Sequence, residues 1–147
     1  MKILYPLAKR FIAGYNFKTA SKSINILLEN GYDVSIDYVG EMSKCKRDVL
    51  SAFKEYEKIL SNYKNIEISI KPSQFGLLFD KAHCYDMMKC INALAVDSSN
   101  SIRLDMEDSR VTSDTVELAI KHNVGCAIQA NHPDTLKHLE ELLKNNI

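Results

Sequence analysis

Charge and apolar character alternate residue by residue through the run Ser101–Ser109. Arg103, Asp105 and Glu107 interleave with Ile102, Leu104 and Met106, and side chains alternate faces along an extended strand. One face is therefore apolar and the other charged, whereas a strand of a parallel sheet normally reads as a nearly unbroken apolar run. The carboxylates stand toward the C-terminal end of the run, where α/β folds keep their ligands. The segment Ile66–Lys71 has the same grammar, with three isoleucines on one face and Glu67, Ser69 and Lys71 on the other. An ammonium at a strand end suits an anionic ligand, as a point charge rather than a bidentate fork. Lys71 and Asp105 together could equally form a structural ion pair inside a polar lumen. On the residues alone both readings stand.

The neighbouring residues have blander readings. Arg103 and Glu107 read as members of one ion network with Glu67. Met106, on the apolar face, reads as core, and Gln129 as a buried amide with its hydrogen bonds satisfied. Asp105, Glu107 and Asp108 offer the oxygen ligands a divalent cation takes, but the cations Lys71 and Arg103 beside them argue against a metal. His83, His122, His132 and His138 show no metal spacing.

Positioning these residues requires a scaffold, and its pattern is regular. Val34–Val39, Ile66–Lys71, Ser101–Ser109 and Gly125–Gln129 read as strands. Lys46–Tyr63, Asp80–Val96 and Ser113–Asn123 carry apolar residues at helical spacing. A last helix is predicted from Asp134, with Leu136, Leu139, Leu142 and Leu143, after the turn signal His132-Pro133. A first helix, Thr19–Asn30, ends at Asn30-Gly31. The pattern predicts one α/β domain over 1–147, an N-terminal helix followed by four parallel strand–helix units with right-handed crossovers. Polar inner faces on the strands fit a TIM-barrel-like half-barrel, with strands in the order 1-2-3-4. The competing doubly wound sheet would have helices covering both faces.

Composition excludes several classes. Lys+Arg and Asp+Glu both number 19 in 147 residues, for zero net charge. A protein that binds nucleic acid neutralises phosphates with a basic surface, so that class is disfavoured. The N-terminal apolar run is too short for a signal peptide, and no transmembrane span is expected. Cys45, Cys84, Cys90 and Cys126 form no CxxC pair, as expected of reduced cytosolic thiols packed as small hydrophobes.

Taken in order, five segments resemble the proline dehydrogenase family. They are Ala8–Gly14, Asn30–Glu41 with its Gly40-Glu41, Glu67–Leu77 with Lys71-Pro72-Ser73-Gln74, Ile102–Ser109, and Ala127–Ala130. The resemblance implies FAD-dependent oxidation of L-proline to 1-pyrroline-5-carboxylate, with a hydride passed to FAD and electrons then passed to a quinone-type acceptor. It implies that Lys71 contacts the substrate, that Asp105 is the active-site aspartate, and that Met106 and Gln129 line the flavin. The implied setting is cytoplasmic, with peripheral contact to a membrane. The family barrel has eight strand–helix units, of which four are matched here. A homo-oligomer or a separate C-terminal half-barrel is therefore the expected partner, and the arginine-rich elements of the family are expected in that second half. After Gln129-Ala130 the family shows a tyrosine and then an arginine, where this chain has Asn131-His132-Pro133-Asp134. The alternative expectation is an inactive half-barrel that serves as a binding or assembly module, or one component of a split enzyme.

Overall fold

The computed structural model describes residues 11–40 and 42–147. Ala8, Lys9, Arg10 and Glu41, which contribute to the resemblance, lie outside the described residues. The chain divides into two compact units, Met1–Val34 and Ser35–Ile147.

The first unit contains helix α1, Phe17–Glu29. Its start is fixed by a reciprocal cap. The Asn16 carboxamide oxygen accepts from the Thr19 N–H at 3.1 Å, and the Thr19 hydroxyl oxygen accepts from the Asn16 N–H at 3.3 Å. Such an exchange satisfies two of the orphan donors at a helix start. The helix stops at Asn30, and Gly31 follows in the left-handed region at φ 78°.

The second unit alternates strand and helix. Strands β1 (Ser35–Asp37), β2 (Glu67–Ile70), β3 (Ser101–Leu104) and β4 (Gly125–Cys126) are separated by helices α2 (Lys46–Asn62), α3 (Lys81–Asp97) and α4 (Thr112–His122), and α5 (Thr135–Lys144) follows β4. All three strand pairs are parallel, and the order is β1-β2-β3-β4. That is the predicted TIM-barrel-like order, whereas a doubly wound sheet would enclose its first strand.

The apolar face is built as the alternation predicts. Ile66, Ile68 and Ile70 of the β2 segment and Ile102 and Leu104 of β3 are buried, together with Val49, Tyr56 and Leu60 of α2, Met88 and Ile91 of α3, and Val116 and Leu118 of α4. Successive helices pack on one another, α2 on α3, α3 on α4 and α4 on α5.

Three features depart from the sequence reading. The β3 ladder ends at Leu104, although polar–apolar alternation runs on to Glu107. The Asp105 N–H still bonds the Ile70 carbonyl at 2.9 Å, but the Met106 N–H turns back to the Asp105 carboxylate at 3.0 Å. A backbone donor captured by a local side chain is lost to the sheet. The β4 strand is likewise short; after the Ala127 N–H bonds the Leu104 carbonyl, Gln129 joins a turn whose His132 N–H bonds its carbonyl. In α5 the buried positions are His138 and Leu142, whereas Leu136 and Leu143 are 75% and 62% exposed. Of the predicted leucine row only Leu142 turns into the core, and Leu136, Leu139 and Leu143 face outward.

Candidate active site at the C-terminal ends of the strands

Lys71 is the first residue after β2 and stands before Pro72, which disfavours helical backbone in the residue preceding it. Lys71 is accordingly extended, at φ −88° and ψ 118°. Because Ile70 is in register with Leu104, Lys71 and Asp105 are next in line on adjacent strands. Asp37 is level with Ser69 and reaches Lys71 diagonally. The Lys71 Nζ donates to Asp37 Oδ2 at 2.6 Å and lies 3.1 Å from Asp105 Oδ2. Burial pulls the Lys71 ammonium down, but hydrogen bonds to Asp37 and Asp105, and their charge, more than offset it and hold the group above its ordinary value of 10.5. The lysine side chain is 15% exposed, and the two carboxylates are 37% and 38% exposed. One cation thus stands between two anions that remain open to solvent.

A second ion pair lies one tier below, where Arg103 Nη2 contacts Glu67 Oε1 at 2.6 Å. Glu107 is not part of that pair, contrary to the sequence reading. Its carboxylate accepts from the Ser73 N–H at 2.8 Å and from the Ser73 hydroxyl at 2.5 Å. With the strand ended at Leu104, the residue at 107 points where the loop takes it rather than where alternation would.

The turn after Lys71, a 3-10 helix over Pro72–Phe75, organises the whole strand end. Gln74 is buried, and its side-chain nitrogen donates to the carbonyls of Tyr38 and Gly40 in the loop after β1. The Gln74 side-chain oxygen accepts from the Tyr56 hydroxyl at 3.0 Å, and that hydroxyl also donates to the Ser69 carbonyl at 2.8 Å. Burial, then the charge of Asp37, pushes the Tyr56 phenol well above its ordinary value, so it stays a neutral donor. The Ser43 hydroxyl donates to the Gln74 carbonyl at 2.7 Å, and the Met42 N–H donates to the Ser73 hydroxyl at 3.1 Å.

Above the turn lies a cleft of about 370 Å³. Lys71, Asp105 and Glu107 form its polar side, and Met42, Leu78, Met106 and Val111 its apolar side. Met106 is only 8% exposed, as core residues are, yet it also lines this cleft, because alternation no longer separates it from Asp105. Gln129 is exposed rather than buried, which corrects the sequence reading. Its amide donates to the Glu107 carbonyl at 3.4 Å, so it sits at the same end of the sheet without lining the cleft.

Sequence reasoning gave Asp37 no role, and it missed Ser73, Gln74 and Tyr56. The available signal was a glutamine and a serine embedded in the apolar run after a strand-ending Lys-Pro, where buried polar groups require partners.

Comparison with known proteins adds relatives. No family model matches the chain. Proline dehydrogenase 1 of Bacillus subtilis (strain 168) is 28% identical over 105 residues, covering 69% of this chain and 35% of the relative. Proline dehydrogenase 1 of Bacillus subtilis subsp. natto is 27% identical over 105 residues, with the same shares. The chain therefore spans about a third of the length of the curated relatives it matches. Among solved structures, proline utilization A (PutA) from Bdellovibrio bacteriovorus inactivated by N-propargylglycine superposes with a TM-score of 0.87 at 16% identity, over 98% of this chain and 19% of that one. No helix among the described residues is long and apolar enough to cross a membrane.

Proposed function

The chain is related to the proline dehydrogenase family, and from that premise we propose that it supplies the first strand ends of an FAD-dependent site oxidising L-proline to 1-pyrroline-5-carboxylate in proline catabolism. The observation that carries the reading is Lys71, held between Asp37 and Asp105 at the strand ends, beside an apolar wall.

The charge arrangement matches a zwitterion. An ammonium has three protons, and two of those on Lys71 are directed at carboxylates. The third is left for a substrate carboxylate oxygen. The two carboxylates carry one negative charge more than Lys71 cancels, and this surplus attracts the substrate amine. Asp105 then orients lysine and amine together, as preorganised charge at a reacting centre does. The apolar wall of Met42, Leu78 and Met106 accommodates the methylenes of a saturated ring.

The residues present also fit a flavin edge. Met106 offers a polarisable apolar surface of the kind that packs on aromatic rings, and the exposed Gln129 amide, tied by one long bond of 3.4 Å among the described residues, retains hydrogen-bonding capacity. Those two residues would hold the ring. A flavin bound there would supply the hydride acceptor and the route of electrons to a quinone-type acceptor, while the protein supplies orientation and electrostatics.

A second reading is favoured by one observation, the share of the relatives' length that the chain spans. In that reading this half-barrel is an assembly module, or one component of a split enzyme, that turns over only with further strand–helix units supplied by another segment. Co-expression with the part of the Bacillus subtilis proline dehydrogenase that this chain does not match tests both. A yellow complex reducing a dye with L-proline, and losing that activity in Lys71→Ala and Asp105→Ala while still assembling, is the expected result. A complex without flavin or turnover, together with no L-proline-induced shift of Lys71 resonances in the chain alone, would leave only the assembly reading.

A further inference from the structure

Glu107 lines the cleft, yet both of its carboxylate oxygens are already engaged by one residue, Ser73. Ser73 is 2% exposed, and its hydroxyl both donates to Glu107 and accepts from the Met42 N–H at 3.1 Å. The hydroxyl thus joins three chain segments: the loop after β1, the turn after β2 and the chain leaving β3. Hydrogen bonds arranged donor to acceptor to donor polarise one another, and those to a carboxylate are about twice as strong as neutral ones. Two residues before Ser73 stands Lys71, and two residues before Glu107 stands Asp105.

We propose that Ser73 and Glu107 are positioning residues, whose paired hydrogen bonds fix the turn after β2 to the chain leaving β3 and thereby set the spacing of Lys71 and Asp105. The physical basis is leverage. Lys71 and Asp105 both lie just beyond the last paired residues, Ile70 and Leu104, where ladder bonding no longer holds the chains together. Among the described residues, apart from the single Asp105 N–H bond to Ile70, the Ser73–Glu107 pair is the backbone-anchored link across the gap. It uses the Ser73 main chain, so it constrains the turn itself and not only a side chain. Glu107 on this account is neither a proton acceptor for substrate nor a metal ligand. The inference deepens the functional reading above by naming what holds its two central residues. Its test reads the lysine directly, so its failure and the failure of that reading are separable.

The experiment follows proton exchange of lysine ammonium groups by nuclear magnetic resonance in the ¹⁵N-labelled full chain, without ligand. Lys71→Arg assigns the Lys71 signal. The Lys81 ammonium, held by Asp114 and Glu117 at 2.7 and 2.9 Å on other elements, serves as internal reference. Ser73→Ala and Glu107→Ala are expected to speed Lys71 exchange several-fold while leaving Lys81 unchanged. Ser73→Thr, which keeps the hydroxyl, is expected to restore the slow rate. Should Glu107→Ala not fold, Glu107→Gln decides, since it keeps one acceptor for the hydroxyl and should give an intermediate rate. An unchanged Lys71 rate in a folded Ser73→Ala or Glu107→Gln protein overturns the proposal. So does equal acceleration of Lys71 and Lys81, which would mean general loosening, or a wild-type Lys71 that already exchanges as fast as free lysine.

Discussion

Lys71 decides the charge of the cleft, and its removal has two separable consequences. Replacing it with Met leaves Asp37 and Asp105 facing each other without a cation. Breaking a fully buried pair costs about 3–5 kcal/mol, but here both carboxylates are more than a third exposed, so a loss of about 1–2 kcal/mol is expected by denaturant unfolding. The pH dependence has a fixed sign. The folded-state value lies above 10.5, so the stabilisation is complete below 10.5 and fades as pH rises through the folded value. The stability difference between wild type and Lys71→Met should therefore be flat from neutral pH up to about 10.5 and shrink above it. At the acid end, hydrogen bonds from the Arg110 guanidinium and backbone N–H hold Asp108 down at about 2. A depressed carboxyl contributes above its unfolded value and loses that contribution as pH falls through the folded one. Carboxyl titration by nuclear magnetic resonance should give a midpoint at about 2 for Asp108, and Arg110→Ala should raise it only part of the way, because the backbone N–H at 110 still donates.

The turn between β2 and α3 carries most of what distinguishes this strand end from an ordinary one. Tyr56→Phe removes the hydroxyl shared by the Ser69 carbonyl and Gln74, leaving buried acceptors short of a donor, at an expected cost of about 1–3 kcal/mol. Gly76 closes the turn at φ 92°, and an added Cβ would stand 3.0 Å from the Phe79 ring. Gly76→Ala should cost about 1–2 kcal/mol for the left-handed backbone alone, and thermal unfolding measures both losses. These elements also mark how far the sequence could be read. Helix ends came within a residue or two, because periodicity and caps such as Asp80, whose carboxylate accepts from the His83 N–H at 2.9 Å, are local signals. Strand ends ran several residues long at β3 and β4, since alternation in sequence continues past the point where ladder hydrogen bonds stop. Lys71 and Asp105 were legible as polar residues at strand ends. Ser73, Gln74 and Glu107 were not legible as a network, because most of their partners lie 18 to 36 residues away and are chosen by tertiary placement.

At the scale of the molecule, the strand order leaves β1 and β4 each paired on one side only among the described residues. A free strand edge presents unpaired N–H and C=O groups in register for another chain, and natural sheets blunt such edges with charge, proline or a covering element. The β4 edge is two residues of small size, Gly125 and Cys126, neither charged. Beyond it, α5 exposes Leu136, Leu139 and Leu143 on its outer side, and an apolar row next to an open edge is what a further strand–helix unit would cover. The polar face of the sheet works the other way. Its two tiers of ion pairs remain partly open to water, and covering them costs desolvation that sets against the stronger attraction at lower dielectric. Edge and apolar row both favour association, so the 16.7 kDa chain should sediment and scatter light as a larger species at micromolar concentration. Lys in place of Leu136 and Leu143 should reduce that association without unfolding the protein, because neither side chain is part of the core. A stable monomer in both the wild type and the double variant would show that the edge and the apolar row are tolerated as they stand.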